Sequence, residues 1–446
     1  MKEATVQNHV EDDLGWLRSR RFLTLALFFT VSAWFFVPRF IQTLQAAKTR
    51  NMLGESNLVI TPLTDLSQRA LFYATILVCL WVIAFRWTAS PASRGTALVL
   101  SLAPGAYMLI QGEYVGVGVD NAAFAVPLTI IALWVLRPRI QDLAILGYLV
   151  GVVCTVSVIL GFVLPDHAIL RSSYTNNAIV SDKEILPWGL LVGIFTDSNN
   201  FGQFIATGLP SVLLIRRRRT RWFVLAVSLF ALVWTASRGS MEAVVVSAAL
   251  TAVVARCHQK RKAAVATTGC ILLFVFGAIL PFLVHEPTAF TNRGVIWMQS
   301  IDAWQSAPLF GLGANWFTVI GSSTASLGPN VFHAHNQFLQ LLVTGGIIYA
   351  VLVGMMLVAA CVCAGRLAGN GSLSPTGFLA ALAGVCVFEV SLVIVDNRLL
   401  FPVVVLPLAT ILFTRDLDTP LATTATAGTS PMPVRAQYRT SLEPKL

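Results

Sequence analysis

The sequence predicts an all-α, polytopic membrane protein with about twelve transmembrane helices. Hydrophobic residues make up 56% of the 446 residues and charged residues 12%, whereas about a quarter of the residues in a soluble domain are charged. The apolar stretches are long and continuous, which favours helices over the alternating pattern of barrel strands. The apolar windows cover residues 22–38, 70–86, 95–112, 121–136, 142–164, 187–215, 222–236, 239–255, 263–283, 336–364, 375–394 and 399–414.

The positive charges predict the orientation of the chain. Most of the 31 lysine and arginine residues fall in alternate loops, and loops rich in these residues face the cytoplasm. The charge alternates correctly when both termini are cytoplasmic. The basic run at 216–221 is then a cytoplasmic anchor near anionic lipid rather than a nucleic-acid site. Arg238, Arg293 and His335 all lie on the outer, periplasmic side in this topology.

The chain divides into three parts. Residues 1–21 are predicted to be a cytoplasmic segment, residues 22–415 the transmembrane domain, and residues 416–446 a disordered cytoplasmic tail rich in Thr, Ala, Pro and Ser. The first apolar run lacks a small-residue cleavage site, so we interpret it as a retained anchor. The longest outer loop, residues 284–335, directly precedes the window that carries His335 at its mouth.

Two local patterns refine this topology. Residues 196–200, TDSNN, lie inside the sixth window and cannot face lipid, so they predict a broken helix that lines a cavity or a buried polar cluster. Within the 284–335 loop, apolar residues recur at helical spacing and predict a short helix from Arg293 to Gln305. Pro308 and the glycines that follow it are expected to stop this helix.

The sequence predicts neither disulfides nor a metal site. Six of the seven cysteines fall inside apolar windows, Cys257 stands at a predicted cytoplasmic end, and none lies in an outer loop. Cys361 and Cys363 have no histidine or cysteine partner at ligand spacing, so we interpret them as packing residues. The chain also lacks a glycine-rich phosphate loop. We therefore expect no cofactor.

The segment from His333 to Gly346, HAHNQFLQLLVTGG, carries the candidate base. His335 and Asn336 stand at the mouth of an apolar run, and a neutral imidazole can accept a proton from an attacking hydroxyl at ambient pH. The alternative is an interfacial histidine that only caps a helix. His333 is interpreted as a loop residue that points elsewhere.

Arg238 and Arg293 are the candidate anion ligands. A guanidinium group binds phosphate oxygens through two parallel N–H groups, most strongly where water is scarce. Both arginines stand among small residues, in the segments SRGS and NRG, on a side where arginine is scarce. The alternative is that each arginine anchors the chain to lipid head groups. Trp297 is either a residue of the aromatic belt or a substrate contact.

In this order, the motifs resemble the signature of the O-antigen ligase and polysaccharide polymerase superfamily. The resemblance covers about residues 190–350. It rests on Ser237-Arg238-Gly239, on Arg293 with Trp297, Pro308, Gly311 and Gly313, on His335-Asn336 with Leu339 and Gly346, and on the preceding polar segment with Asn199 and Asn200.

The resemblance implies a metal-independent glycosyltransferase of the cytoplasmic membrane whose active site faces outward. The donor would be a glycan on undecaprenyl diphosphate, and the acceptor a hydroxyl of another glycan or lipid-linked glycan in cell-surface polysaccharide or exopolysaccharide assembly. Carried over to this chain, Arg238 and Arg293 would bind the diphosphate and His335 would activate the acceptor. Asn336 and Trp297 would contact the substrate beside them.

The motifs do not identify the acceptor, so several functions stay open. A polymerase is slightly favoured over a ligase, and a protein O-oligosaccharyltransferase would use the same donor. A transporter of small anions or lipid-linked sugars would also explain outer arginines and a broken helix. However, a coupled carrier usually needs ionisable residues inside its spans, and Glu389 is almost alone there.

Overall fold

The computed structural model describes residues 19–45, 60–87, 95–115, 122–170, 183–317, 333–392 and 398–418. Each predicted apolar window contains a helix within these residues. The helices are α1 (Arg20–Gln45), α2 (Pro62–Arg86), α3 (Gly95–Val115), α4 (Ala122–Leu136), α5 (Ala144–Val163), α6 (Pro165–Ala168), α7 (Ser198–Val212), α8 (Arg218–Thr235), α9 (Arg238–Arg256), α10 (Gln259–Leu283), α11 (Ala289–Gln305), α12 (Gln337–Gly369), α13 (Ser374–Phe388) and α14 (Phe401–Phe413). Short 3₁₀ turns cover Ile140–Leu143, Arg398–Leu400 and Arg415–Asp418, and two strands, β1 (Ile169–Leu170) and β2 (Leu190–Leu191), pair antiparallel.

Seven helical segments in the described residues are long and apolar enough to cross a membrane. They are Arg20–Gln45, Pro62–Arg86, Gly95–Gly112, Ile140–Val163, Arg238–Arg256, Gln259–Leu283 and Gln337–Gly369. Two shorter apolar helices, Phe124–Leu136 and Ser374–Phe388, accompany them. The all-α membrane class is therefore confirmed, while twelve crossings and cytoplasmic termini stay predictions. Most of the predicted N-terminal segment and tail lie outside the described residues.

Helix α7 lies at the centre of the fold. It packs against α5, α8, α9 and α13, and all but two of its residues, from Ser198 to Val212, are buried. The prediction of a broken helix in this window is wrong for its first half, because the residues before α7 form turns and β2. Gly193 adopts a left-handed φ of 53° there. The Asp197 side chain then caps α7 by accepting a hydrogen bond from the backbone N–H of Asn200 at 2.9 Å.

The long helix α12 is two helices joined at Gly346, whose φ and ψ of 68° and −169° are not helical. The loop that follows α11 fills this break. Leu312 donates its backbone N–H to the Val343 carbonyl at 2.7 Å, and Ile347 donates to the Pro308 carbonyl at 2.9 Å. Gly346 thus lets a loop approach the helix closely.

Helix α3 covers the same junction. The Tyr107 hydroxyl donates to the Gly345 carbonyl at 2.8 Å, and Gln111 Nε2 donates to the Thr344 carbonyl at 2.8 Å. Both side chains also contact the Phe310 carbonyl. The loop after α11 and helix α3 thus both form hydrogen bonds at the break in α12. These bonds hold the N-terminal half of α12 in place.

Candidate functional site

The N-terminus of α12 is fixed by Asn336, whose side chain is fully buried. Its Oδ1 accepts hydrogen bonds from the backbone N–H groups of Phe338 and Leu339, both at 3.0 Å, which caps the helix. Its Nδ2 donates to the carbonyls of Gly277 on α10, at 2.9 Å, and Val387 on α13, at 3.0 Å. These four hydrogen bonds give Asn336 a structural role, and the substrate contact through Asn336 stays a prediction. Asn336 joins three helices and positions the residue before it.

That preceding residue, His335, adopts a left-handed φ of 49°. Non-glycine residues rarely adopt this conformation, and it recurs where surrounding structure over-determines a functional side chain. The turn directs the imidazole toward the end of α13. There, His335 Nδ1 lies 3.8 Å from Oε2 of Glu389, an ion-pair distance that exceeds a hydrogen bond.

Arg293 reaches the same carboxylate from α11. Its Nη2 donates to Glu389 Oε1 at 2.6 Å, and the Glu389 side chain is only 7% exposed. Residues 290–292 of α11 have positive φ, so its regular helical part begins at Arg293 and continues to Gln305. The predicted short helix is thereby confirmed. Two predicted site residues, Arg293 and His335, meet at an acidic residue that the sequence analysis did not assign to the site.

Arg238 is the first residue of α9, and its segment packs beside this group. The neighbouring Gly239 packs against the Phe388 ring, where an added Cβ would come within 3.4 Å. The guanidinium carbon of Arg293 lies over the same ring, 5.4 Å from its centroid. The segments that carry Arg238 and Arg293 therefore pack against the same Phe388 ring.

Lys183 is a further cation at the site, and no motif pointed to it. Its Nζ donates to Asn199 Oδ1 at 2.7 Å and to Ser198 Oγ at 3.1 Å, at the start of α7. Burial lowers the pKa of Lys183, and the nearby charge of Asp197 opposes that shift. The charges of Arg238, Arg293 and Glu389 also act on this ammonium group. The site thus combines three cations with two carboxylates.

His333 also belongs to this site, so the interpretation that it points elsewhere is wrong. Its ring centroid lies 4.0 Å from that of His335, and its Nδ1 accepts the backbone N–H of His335 at 3.1 Å. Burial lowers the pKa of His333 to about 3, with the charges of His335 and Arg293 acting in the same direction and Glu389 against it. His333 is consequently neutral at physiological pH.

Trp297 is fully buried and stacks against Phe388, with ring centroids 6.4 Å apart. Phe290 packs on it from the start of α11, at 5.5 Å. The substrate contact through Trp297 stays a prediction. Its indole supports the aromatic ring over which Arg293 lies.

A chain of buried amides connects the site to α7. Gln337 Oε1 accepts the backbone N–H groups of Ser391, at 2.8 Å, and Leu392, at 2.7 Å. Ser391 Oγ donates to Gln203 Oε1 at 2.9 Å, and Gln203 Nε2 donates to Asn200 Oδ1 at 3.3 Å. These bonds fix the segment after Glu389 against the TDSNN motif. The predicted buried polar cluster is present there.

Metal-binding atoms of His333, His335 and Glu389 lie within 4.8 Å of one another. Two histidines and a carboxylate form a donor set that suits zinc. Arg293, however, is bonded to one oxygen of this carboxylate, and its charge would oppose a cation there. Metal independence stays a prediction from the sequence.

Glu389 and Lys183 differ in how strongly the sequence alone marks them as functional residues. Glu389 is an ionisable residue inside an apolar window, which is itself a signal of function. Lys183 lies in a predicted outer loop and carries no comparable signal. Glu389 contacts Arg293, 96 residues away, whereas Lys183 contacts Ser198 and Asn199, 15 and 16 residues away.

Comparison with known proteins addresses the same region. Residues 223–354, from α8 to the middle of α12, match the family model described as O-antigen ligase. This segment contains Arg238, Arg293 and His335 and ends before Glu389. No curated protein matches the chain. The match covers less than half of the chain and agrees with the resemblance to the O-antigen ligase superfamily that its motifs carry.

Proposed function

We propose that this protein transfers a glycan from undecaprenyl diphosphate to a sugar hydroxyl, without a metal, at the outer face of the cytoplasmic membrane. The family supports an enzyme of the ligase or polymerase type. The observation that carries the proposed site is the position of the Glu389 carboxylate. One of its oxygens is bonded to Arg293, and the other lies near His335.

The proposed chemistry is a single displacement at the anomeric carbon. The acceptor hydroxyl oxygen forms a bond to that carbon as the bond from carbon to the diphosphate oxygen breaks. The bonding electron pair leaves with the diphosphate, and the hydroxyl proton passes to Nε2 of His335. The Glu389 carboxylate, 3.8 Å from Nδ1, stabilises the protonated imidazole by its negative charge, one of the roles that a carboxylate has in a catalytic triad.

The leaving diphosphate gathers negative charge as the bond breaks. Arg238, Arg293 and Lys183 supply the positive charge that stabilises it, and groups fixed in advance do so without reorganising during the reaction. The Phe388 ring lies under Arg293, and Asn199 at the start of α7 holds Lys183. Because Arg293 is also held by Glu389, it binds the diphosphate in a defined orientation.

The acceptor remains the open variable. We favour a polymerase slightly over a ligase, because the 284–335 loop is short for a protein that must also receive a large lipid acceptor. Protein O-glycosylation would need the same donor and the same three cations. Transport is the weaker alternative, since the charged groups gather at one site rather than along a path through the helices.

The function is tested with purified protein, the undecaprenyl-diphosphate-linked glycan and a chelator. Products are followed by mass spectrometry, with and without a separate acceptor. Release of undecaprenyl diphosphate with growth of the glycan identifies a polymerase, and release that requires the added acceptor identifies a ligase. Absence of release by an intact preparation given its native substrates contradicts the proposal.

The site is tested with Arg238→Ala, Arg293→Ala and His335→Ala. Each is expected to lower the rate by about 100-fold or more, the usual effect of removing a general base or a charge-stabilising donor. Arg219→Ala and His285→Ala alter exposed residues and serve as matched controls. Folded Arg238, Arg293 and His335 variants with unchanged rates would refute this site while leaving the family assignment intact.

A further inference from the structure

Helix α1 separates the candidate site from a second group of charged residues. Near its end, Arg39 Nε donates to the Ile194 carbonyl at 3.1 Å, and Arg39 interacts electrostatically with Asp197 at the candidate site. Its first residue, Arg20, lies at the opposite end. A helix of 26 residues spans about 39 Å. The Arg20 end is thus remote from the candidate site, on the face that the charge pattern predicts to be cytoplasmic.

Several arginines from separate parts of the chain meet at this end. The positive charges of four others act on Arg20, and the charges of two of these also act on Arg415. They come from the start of α1, the end of α2, the turn after α4 and the 3₁₀ turn after α14. We call this group the basic cluster; it consists of Arg20, Arg86, Arg137, Arg139 and Arg415.

Three members of the basic cluster have an unsatisfied guanidinium nitrogen. The Nε atoms of Arg20, Arg86 and Arg415 are buried and have no hydrogen-bond partner among the described residues. Buried polar atoms nearly always have a partner, and an unpaired one calls for an explanation such as a bound ligand. A guanidinium group offers only donors, so the missing partner must be an acceptor.

The nearby carboxylates have partners other than the three unpaired nitrogens. Asp418 pairs with Arg137 at 2.5 Å. Asp142 accepts the backbone N–H of Arg139 at 2.8 Å, and Asp416 accepts that of the next residue at 2.9 Å. Among the described residues, five guanidinium groups therefore meet three carboxylates, and the basic cluster keeps an excess of positive charge.

Aromatic side chains place the basic cluster at a membrane boundary. Trp87, directly after Arg86, is 57% exposed and packs edge-on against Trp134 with ring centroids 6.1 Å apart. Phe22 and Trp81 form a similar pair at 5.8 Å beside Arg20. Tryptophan concentrates at the level of lipid head groups. A head group can therefore reach the cluster from the bilayer.

We propose that Arg20, Arg86 and Arg415 form a binding site for the phosphate group of an anionic phospholipid. Phosphate oxygens are the acceptors that guanidinium groups bind most strongly, because two parallel N–H groups match two oxygens. Basic pockets on the cytoplasmic side of membrane proteins bind lipid head groups in this way. Free phosphate has the same chemistry, but the aromatic border and the adjacent bilayer favour the lipid. This site is independent of the proposed enzymatic function.

The test measures lipid bound to the full-length protein by native mass spectrometry. Phosphatidylglycerol and phosphatidylcholine with identical acyl chains are compared at equal concentration. The wild type is expected to bind phosphatidylglycerol about tenfold more tightly, in line with a few favourable contacts of arginine with an anionic head group. The triple variant Arg20→Gln/Arg86→Gln/Arg415→Gln is expected to lose this preference.

The matched control is Arg256→Gln/Lys260→Gln/Arg261→Gln, which removes the same charge from exposed residues outside both the basic cluster and the 216–221 run. These residues lie at the same end of the molecule, because Gln259 donates to the Gly369 carbonyl and Arg366, near that carbonyl, donates to the Leu417 carbonyl at 3.3 Å. The control is expected to keep the lipid preference. An equal loss in both variants would reduce the effect to general surface charge and overturn the proposal.

Inorganic phosphate provides the second arm of the test. The melting temperature is measured in phosphate and in chloride at equal ionic strength, and phosphate is added to the lipid-bound protein. Displacement of phosphatidylglycerol by millimolar phosphate would assign the site to free phosphate and overturn the lipid assignment. If the triple variant does not fold, the single variant Arg415→Gln, outside the α-helices, replaces it, and an unchanged lipid preference then counts against the site.

Discussion

Arg293 donates a hydrogen bond to Glu389 at 2.6 Å although 96 residues separate them in the chain. The two side chains are 19% and 7% exposed, so the pair is largely shielded from water. Removing one partner of a buried ion pair leaves an uncompensated charge, which is strongly unfavourable. The pair therefore fixes α11 to the end of α13. It also leaves the second carboxylate oxygen facing His335, so one acidic residue sets the position of two proposed catalytic groups.

The first prediction concerns Glu389→Gln. An amide keeps the shape of the side chain and can still accept a hydrogen bond from Arg293, but it lacks the charge that stabilises a protonated imidazole. We expect kcat to fall by about 100-fold, the usual contribution of an oriented base, while KM for the lipid-linked donor does not rise. Steady-state kinetics with the purified protein measures both constants.

Glu242→Gln is the matched control for this prediction, because Glu242 is an exposed acidic residue on α9. It is expected to keep the wild-type kcat. A loss confined to KM in the Glu389 variant would mean that Glu389 only shapes the donor site. An unchanged kcat would remove Glu389 from the proposed mechanism.

The sequence predicted the helices well because their signal is local. Long apolar runs identify helices regardless of their neighbours. The same information failed before α7, where Gly193 and the Asp197 cap end helical structure that hydropathy alone would continue. It also could not assign Glu389 and Lys183 to the site, since their partners are brought to them only by tertiary packing. His333 was misplaced for a related reason, because the left-handed φ of His335 turns the two rings together.

The second prediction concerns the break in α12. A Cβ on Gly346 would lie 2.3 Å from the Leu309 carbonyl oxygen, and its φ of 68° with ψ of −169° is accessible almost only to glycine. Gly346→Ala is therefore expected to lower the free energy of unfolding by about 2 kcal/mol or more. Thermal unfolding in detergent measures the change.

Gly354→Ala on the same helix provides the control. An added Cβ there meets no atom within 4 Å, and alanine favours a regular helix over glycine by up to about 1 kcal/mol. We expect this variant to be as stable as the wild type or slightly more stable. Equal destabilisation by the two substitutions would show that the loop does not press against Gly346.

The third prediction uses the lowered pKa of Lys183. A lysine whose pKa is lowered by burial loses its charge at a lower pH than an exposed lysine. Binding of the diphosphate donor should therefore weaken as the pH rises toward that lowered pKa. Lys183→Arg keeps a charge at every accessible pH and is expected to extend donor binding to more alkaline conditions.

Donor affinity measured across the alkaline range checks this expectation. Lys183→Met is expected to bind the donor about tenfold less tightly at neutral pH, which corresponds to the loss of one charge-assisted contact. Lys260→Arg, at an exposed position on α10, should follow the wild-type profile. Identical pH profiles for wild type and Lys183→Arg would show that another group governs donor binding.

The fourth prediction links His333 to stability. Its pKa is about 3 in the folded protein, whereas an unfolded histidine titrates near 6.5. The unfolded state therefore binds more protons than the folded state between these pH values. The contribution of neutral His333 to stability is fully present above about pH 6.5 and is lost as the pH falls toward 3. Because His333 is partly exposed, screening limits the effect to about 1 kcal/mol at pH 5.

His333→Gln should make the melting temperature less sensitive to acid between pH 7 and pH 5, while His285→Gln, which alters an exposed histidine, should leave that slope unchanged. If the melting temperatures of the wild type and both variants fell with pH at the same rate, His333 would be accessible to protons in the folded state. Its close contact with His335 would then have to be transient.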